Sequence, residues 1–265
     1  MKKPDILFIG AGRMAEAIFS GLKQSEHIGT VTISNRSDAE RLAHLKRTYH
    51  VETAKWQDVV ADHNVIVLAM PPSSHPAVMK ELANFVTNQL VITVAAGIGP
   101  TVLEEAMPGI PVAWIMPNTA ADVNESMSIY ACGQHMQEAD RVILQMILDA
   151  IGESEELSEE QIHELTAVTG SAPAFVYQFA EALEQTAKLY GLSTEQATKL
   201  VVQMMYGSVA MLKDGRKAGD LRDQVTTPGG ATAAGLEVLQ EGNFSEILHE
   251  AVIAVNRKAK EQANN

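Results

Sequence analysis

Two short stretches of this 265-residue chain combine small residues with polar groups at spacings that suit anion binding. The first has the spacing G-x-G-x-x-A and consists of Gly10, Ala11, Gly12, Arg13, Met14 and Ala15. In such a stretch the first glycine permits a tight turn, the second lets a pyrophosphate touch the main chain, and the last small residue allows a helix to pack closely on a strand. A β-rich run precedes the stretch and a helical pattern follows it. It therefore predicts a dinucleotide bound at a helix N-terminus.

The second stretch lies near the end of the chain and consists of Thr226, Thr227, Pro228, Gly229, Gly230, Ala231 and Thr232. Its proline and paired glycines predict a turn, and the alanine-rich run that follows predicts the start of a helix. Uncapped N–H groups of Gly230, Ala231 and Thr232, with threonine hydroxyls beside them, would bind a carboxylate or a phosphate. The alternative is a plain turn in which a threonine caps the helix.

The end of the second predicted strand carries polar residues instead of an acid. In most NAD sites an acid stands about twenty residues after the glycine stretch and binds the ribose 2′-hydroxyl. Here the strand end, residues 34–37, contains no acid, and the first acid after it is Asp38. Arg36, with Ser34, Asn35 and Ser37 beside it, suits a 2′-phosphate instead. NADPH is therefore the predicted cofactor, NADH is the second candidate, and a solvated arginine at a helix start is the alternative.

Strand and helix patterns alternate in the first half of the chain. The predicted strands are residues 5–12, 30–37, 64–72, 90–99, 112–118 and 127–133. This alternation predicts an α/β fold with an N-terminal Rossmann-type, doubly wound parallel sheet, which binds ligands at the carboxyl ends of its strands. From about residue 155 only helical patterns appear. We therefore predict a dinucleotide-binding domain over residues 1–154 and an all-helical substrate and dimerisation domain over residues 155–265.

One predicted helix of the second half, over residues 197–212, is apolar over a wide and methionine-rich face. The pattern is typical of a helix that packs against other helices. In a small second domain some of those helices would belong to another subunit, so we expect a homo-oligomer.

The composition is that of a globular protein and argues against several partners. Hydrophobic residues make up 46% and charged residues 20%, and the formal net charge of −13 disfavours free nucleic acid and anionic membranes. The single cysteine, Cys132, leaves no intrachain disulfide and favours a reducing compartment. No stretch approaches the ~20 apolar residues of a membrane helix. The eight histidines show no metal-ligand spacing. We expect a cytoplasmic protein that uses no metal.

Further segments extend the pattern over nearly the whole chain. They are FIGAGRMAEAI (8–18), NRS (35–37), VAAGI (94–98), MPNT (116–119), AVTGSAPAF (167–175) and DQVTTPGGATAAGLEVL (223–239). With these segments the chain resembles the pyrroline-5-carboxylate reductase family. The resemblance implies reduction of the cyclic imine Δ1-pyrroline-5-carboxylate to L-proline with NAD(P)H, the last step of proline biosynthesis. It also implies a helical domain that intertwines in a dimer, with larger rings in some members.

The resemblance also implies roles for individual residues. The loop of residues 10–14 would hold the pyrophosphate, and Asn35 with Arg36 would hold the ribose of the adenosine. The nicotinamide side would be formed by Ala69, Met70, Ala95 and Asn118. The substrate carboxylate and ring would be held by Thr227, Gly230, Ala231 and Thr232. Thr232 would also donate a hydrogen bond, or relay a proton, near the imine nitrogen.

The chain departs from the family pattern at several positions, and two other functions stay open. Met70-Pro71-Pro72 stands where Val-Lys-Pro is usual, and Trp114 stands where an arginine is usual. A β-hydroxyacid-type dehydrogenase would need a lysine soon after residues 167–175, and none precedes Lys188. A diverged paralogue would keep the fold and the cofactor site in a regulatory or binding role.

Overall fold

A computed structural model describes residues 3–23 and 25–263, and its first part is an eight-stranded sheet with helices on both faces. The strands are β1 Ile6–Ile9, β2 Val31–Ser34, β3 Glu52–Thr53, β4 Val65–Leu68, β5 Leu90–Thr93, β6 Val112–Met116, β7 Ser126–Cys132 and β8 Gly152–Glu156. The helices across the described residues are α1 Arg13–Leu22, α2 Ala39–Tyr49, α3 Trp56–Val59, α4 His75–Leu82, α5 Pro100–Ala106, α6 Glu138–Asp149, α7 Glu159–Thr166, α8 Ala172–Leu189, α9 Thr194–Lys213, α10 Ala218–Gln224, α11 Ala231–Glu241 and α12 Phe244–Ala263. None of the described helices is long and apolar enough to cross a membrane.

The strand order is β3-β2-β1-β4-β5-β6-β7-β8, which confirms the predicted doubly wound, Rossmann-type sheet. The order reverses beside β1, since β1 pairs in parallel with both β2 and β4. A ligand site is expected at this reversal, outside the carboxyl ends of the strands. The carboxyl ends of β1, β2, β4, β5 and β6 lie along this edge.

The far side of the sheet corrects two expectations. β7 runs antiparallel to β6, because only a short 3₁₀ segment, Thr119–Val123, separates the two strands and a parallel crossover needs a longer connection. β8 is a strand where helical structure was expected from about residue 155. Its sequence, GESEE, is charged and largely exposed at the sheet edge, so it carries no apolar alternation that would reveal a strand.

The central strands are buried on both faces, as a doubly wound sheet requires. Ile6 and Phe8 point to a cluster with α1, α2 and α6, whereas Leu7 and Ile9 point to a cluster with α3, α4 and α5. Consecutive apolar residues of a strand are therefore buried in two different hydrophobic cores, one on each face of the sheet. This double burial holds the strand ends, and the loops that follow them, in fixed positions.

Contacts along the chain divide it into two compact units. The first contains the chain up to Ser171 together with the residues from Ala259 onward, and the second is Ala172–Lys258. This division differs from the predicted boundary at residues 154 and 155, because β8 pairs with β7 and α7 also packs on β7. Ile162 of α7 is buried with Trp114 in the small core on this side of the sheet.

Candidate dinucleotide-binding site

The glycine stretch forms the turn between β1 and α1, at the point where the sheet order reverses. Gly10 has φ +116°, and a Cβ at this position would collide with the main chain of Ala69, so only glycine fits. The Gly10 N–H donates to the Ser34 carbonyl at 2.9 Å, and the Ala69 N–H donates to the Ile9 carbonyl at 2.8 Å. Gly12 is the N-cap of α1, and no side chain caps this helix end. Its first N–H groups are therefore available to an anion.

A cluster of polar side chains from α1 and α2 stabilises the same turn. Asp38 caps α2 by accepting from the Arg41 N–H at 2.8 Å, and Arg41 Nε donates to the Ala11 carbonyl at 3.1 Å. The Arg41 guanidinium also pairs with Glu16, whose other oxygen accepts from the Tyr49 hydroxyl at 2.9 Å. Partial burial alone would raise the pKa of Glu16, but the bonds from Arg41 and Tyr49 outweigh it and lower that pKa. No local sequence pattern predicts this cluster, because its members come from different elements.

A cavity of about 760 Å³ lies beside the turn, between the ends of β2 and β4. Six of the residues predicted for the cofactor line it, namely Gly10, Ser34, Asn35, Arg36, Ser37 and Met70. Sequence reasoning also missed several lining residues, including Lys55, Trp56, Gln57, Pro71, Ser73, Ser74 and Glu81. The missed residues follow β3, a strand of two residues that is too short to show a periodic pattern, or belong to the segment after β4.

The charges at this cavity fit an anionic group. Arg36 and Lys55 are exposed at its wall, and neither makes an ion pair with the residues that the structure describes. The Asn35 side-chain oxygen accepts from the Arg36 N–H at 2.9 Å, and the Ser34 hydroxyl accepts from the Trp56 N–H at 3.1 Å. Two unneutralised cations, one after β2 and one after β3, suit a phosphate, so the residues present fit a dinucleotide with a 2′-phosphate.

The predicted nicotinamide-side residues follow three neighbouring strands. Ala69 and Met70 follow β4, Ala95 lies just beyond β5, and Asn118 lies just beyond β6. The Asn118 side chain is already engaged, since it accepts from the Ala120 N–H at 2.9 Å and donates to the Thr169 carbonyl at 3.1 Å. The contact of these four residues with a cofactor stays a prediction.

The predicted substrate turn lies in the second unit, between α10 and α11. Gly229 has φ +70° and forms the turn, and the Gly230 N–H donates to the Thr227 carbonyl at 2.9 Å. Gly230 is the N-cap of α11, and no side chain of the described residues caps this helix end. The Thr226 hydroxyl donates to the Arg222 carbonyl at 2.6 Å. Ala231 and Thr232 stand exposed in the first turn of α11, and their role toward a substrate stays a prediction.

Trp114 and Cys132 lie on the neighbouring strands β6 and β7. Trp114 is buried, its Nε1 has no hydrogen-bond partner among the described residues, and its ring lies 4.8 Å from that of His163. Burial raises the pKa of the Cys132 thiol to about 12, so this cysteine carries no reactive thiolate at neutral pH.

Comparisons with known proteins cover both units. A family model described as "Pyrroline-5-carboxylate reductase dimerisation" matches residues 159–262, and one described as "NADP oxidoreductase coenzyme F420-dependent" matches residues 5–97. Pyrroline-5-carboxylate reductase 2 of Bacillus subtilis strain 168 is 36% identical, over 94% of this chain and 91% of that protein. Pyrroline-5-carboxylate reductase 3 of Danio rerio is 34% identical, over 97% and 91%.

Solved structures agree with these relatives. A pyrroline-5-carboxylate reductase from Coxiella burnetii has a TM-score of 0.89 and 30% identity, and covers 98% of both chains. Plasmodium falciparum pyrroline carboxylate reductase with NADP bound has a TM-score of 0.88 and 28% identity, and covers 99% of both chains.

The doubly wound sheet, the uncapped glycine turn and the cationic cavity define an NADP-binding, Rossmann-type protein of the oxidoreductase class. The similarity over both units is more specific than this class. The chain belongs to the pyrroline-5-carboxylate reductase family.

Proposed function

We propose that this protein reduces Δ1-pyrroline-5-carboxylate to L-proline by hydride transfer from NADPH, the final step of proline biosynthesis. The observation that carries this proposal is the similarity to reductases of that name over nearly the whole chain, in the dinucleotide unit and the helical unit alike. A β-hydroxyacid-type dehydrogenase is disfavoured because α8, the first long helix of the second unit, has its lysine, Lys188, only in the last turn.

The side chains present are sufficient for this reaction. An iminium carbon accepts hydride readily, so the protein has mainly to align the ring and exclude water, and no strong general acid is required. When bound, NADPH supplies the hydride. The N–H groups at the start of α11 would hold the substrate carboxylate, with the Thr226 and Thr227 hydroxyls beside them. The exposed Thr232 hydroxyl would donate to the neutral imine nitrogen and relay a proton to it from solvent. Its oxygen would then accept from the N–H of the iminium that receives the hydride.

The expected preference for NADPH depends on the cations that follow β2 and β3. Arg36 and Lys55 would meet the 2′-phosphate as unpaired cations, and the described wall of the cavity contains one acid, Glu81, which accepts from Gln57 at 3.1 Å. A ribose 2′-hydroxyl offers these cations no charge to neutralise. NADH is therefore expected to bind more weakly.

The test of the proposed function is the oxidation of NADPH with pyrroline-5-carboxylate, repeated with NADH. Turnover within the ordinary range of ~1–10³ s⁻¹, and faster with NADPH, is the expected result. A folded protein that binds NADPH and is stabilised by it against heat, but gives no turnover with either cofactor, would reject the reductase and favour the diverged paralogue. Faster turnover with NADH would keep the reductase and reject the role of Arg36.

The proposed role of Thr232 is tested by Thr232→Ala. Removal of a hydrogen bond to a charged nitrogen should lower kcat/KM by roughly 10- to 100-fold. Thr232→Ser keeps a hydroxyl on the same backbone and should recover most of the activity. NADPH binding, measured without substrate, should stay unchanged in both variants. Full kcat/KM in Thr232→Ala would remove this residue from the mechanism.

We also propose a homodimer formed through the helical unit, and location in the cytoplasm. The dimer is supported by the family model for dimerisation and by the many apolar side chains that the helical unit leaves exposed. Assembly of dimers into a larger ring is a further proposal that rests on the family alone. The cytoplasmic location rests on the single cysteine and the reducing compartment that it favours.

A further inference from the structure

His75, at the start of α4, is a fully buried histidine that neither the glycine turn nor the substrate turn accounts for. Its Nδ1 lies 3.2 Å from the Pro71 carbonyl, and its Nε2 lies 3.0 Å from the Thr93 hydroxyl. The Ala95 N–H in turn donates to the same hydroxyl at 3.2 Å. A buried polar side chain with a partner on each ring nitrogen is held in one orientation.

The partners determine where the protons lie. A carbonyl only accepts, so Nδ1 must carry the hydrogen that is donated to Pro71. In the neutral ring Nε2 then accepts, and the Thr93 hydroxyl donates to it while receiving the Ala95 N–H. Burial lowers the pKa of His75, and the bond to the Pro71 carbonyl offsets this only in part, so the neutral ring is favoured.

This chain of bonds connects two loops on the ligand edge of the sheet. Pro71 follows β4 and Ala95 follows β5, and the two strands pair in parallel with Leu68 opposite Thr93. Met70 and Pro71 line the cavity that also contains Arg36. Pro71 stands where the family usually has a lysine, so in this chain the carbonyl bonded by His75 lies at a departure from the family pattern.

Among the described residues His63 shows the same arrangement, near the opposite ends of the strands. His63 Nδ1 lies 2.8 Å from the Val59 carbonyl, four residues earlier, and its Nε2 lies 2.9 Å from the Thr32 hydroxyl. His63 precedes β4 and Thr32 lies at the start of β2, whereas His75 follows β4 and Thr93 ends β5. The two histidines therefore share their bonding pattern but lie at different ends of the strands, and only His75 is at the ligand edge.

We propose that His75 is a positioning residue for the cofactor, and that through Thr93 it fixes the spacing between the β4 loop and the β5 loop that face the nicotinamide half of NADPH. The inference rests on the proposed function for the identity of the ligand. It does not rest on the substrate, because every group involved lies in the dinucleotide unit. His75 and Thr93 do not themselves touch the reacting atoms in this proposal.

The experiment compares Thr93→Val with a matched control variant, Thr32→Val. Each variant removes the hydroxyl that bonds a buried histidine, so both should lose thermal stability. Thr93→Val should also raise the Kd of NADPH, measured by fluorescence titration, and the KM for NADPH by roughly tenfold, the equivalent of one lost hydrogen bond, with a smaller change in kcat. Thr93→Ser should restore the Kd, and Thr32→Val should leave it unchanged. If both valine variants lose stability alike and bind NADPH as tightly as the wild type, His75 is structural only and the proposal is overturned.

A measurement on the unaltered protein guards against a Thr93 variant that does not fold. In protein labelled with ¹⁵N at histidine, the ring nitrogen resonances of His75 should shift as NADPH is added, while those of His63 stay in place. Resonances of His75 that do not move at saturation would overturn the proposal. Turnover with pyrroline-5-carboxylate is scored separately: a wild type that binds NADPH without turnover rejects the proposed function, and the comparison of Kd values still decides the role of His75.

Discussion

Among single residues, Arg36 is the one on which the expected preference for NADPH most depends. Its guanidinium is exposed at the cavity wall without an acidic partner among the described residues. Arg36→Ser should therefore raise the KM for NADPH by roughly 10- to 100-fold, the effect of losing a charge-assisted hydrogen bond to a phosphate, and leave the KM for NADH nearly unchanged. Arg47→Ser, at the exposed end of α2 and away from the cavity, removes the same charge and is the control. An equal loss for both cofactors in Arg36→Ser would mean that the side chain does not read the 2′-phosphate.

Residues differ in how far the sequence alone could predict them. Gly10 and Gly12 were predictable, because their spacing reflects a local constraint on one turn. Arg41 and His75 were not, since each acts through a partner far away in sequence, such as Ala11 for Arg41 and Thr93 for His75. A basic or aromatic residue on a helix has no local feature that reveals which loop its side chain will reach.

At the scale of elements, the predictable strands were those buried on both faces, such as β1 and β4, since a continuous apolar run has no other stable place in a soluble α/β fold. The short β3 and the charged edge strand β8 lack that signal. Their pairing is determined by neighbours already in the sheet. The Lys55 side of the cavity was missed for this reason, because it follows β3.

The polar cluster of Glu16, Arg41 and Tyr49 connects α1 with α2, and we expect its contribution to stability to depend on pH. The bonds to Glu16 lower its pKa in the folded protein, so its ionised form contributes stability that is fully present above the ordinary value of 4.5 and is lost as pH falls through the lowered pKa. Glu16→Gln should therefore melt at a lower temperature than the wild type at pH 7, and this difference should shrink as pH falls below 4.5. Melting curves at several pH values test this. A difference that is constant with pH would mean that the charge of the Glu16 carboxylate does not stabilise this cluster.

The Kd of NADPH should also rise in Glu16→Gln, because Arg41 then loses the partner that holds it against Ala11.

At the scale of the whole molecule, the helical unit leaves many large apolar side chains exposed in a single chain. Within its described residues only Ala197 and Val201 are buried, whereas Leu200, Met204 and Tyr206 of the same helix are 59%, 47% and 70% exposed. A wide apolar helix face that stays exposed in one chain requires a further surface to cover it. The sequence predicted this stripe, and the structure shows that one chain does not cover it.

Met204→Asp should therefore separate the dimer into monomers. A carboxylate placed in an apolar interface without a partner loses its hydration, so the dissociation constant of the dimer should rise by roughly 100-fold or more. Light scattering coupled to size-exclusion chromatography, over a range of protein concentrations, measures the dissociation constant.

The control variant is Val123→Asp, which also replaces an apolar side chain with aspartate. Val123 is 68% exposed on the 3₁₀ segment of the dinucleotide unit, and the variant should leave the assembly intact. Since the monomer would keep the sheet and its cavity, the Kd of NADPH should change less than the assembly does. A wild type that runs as a monomer at all concentrations, or a Met204→Asp variant that stays dimeric, would show that this face of α9 does not form the interface.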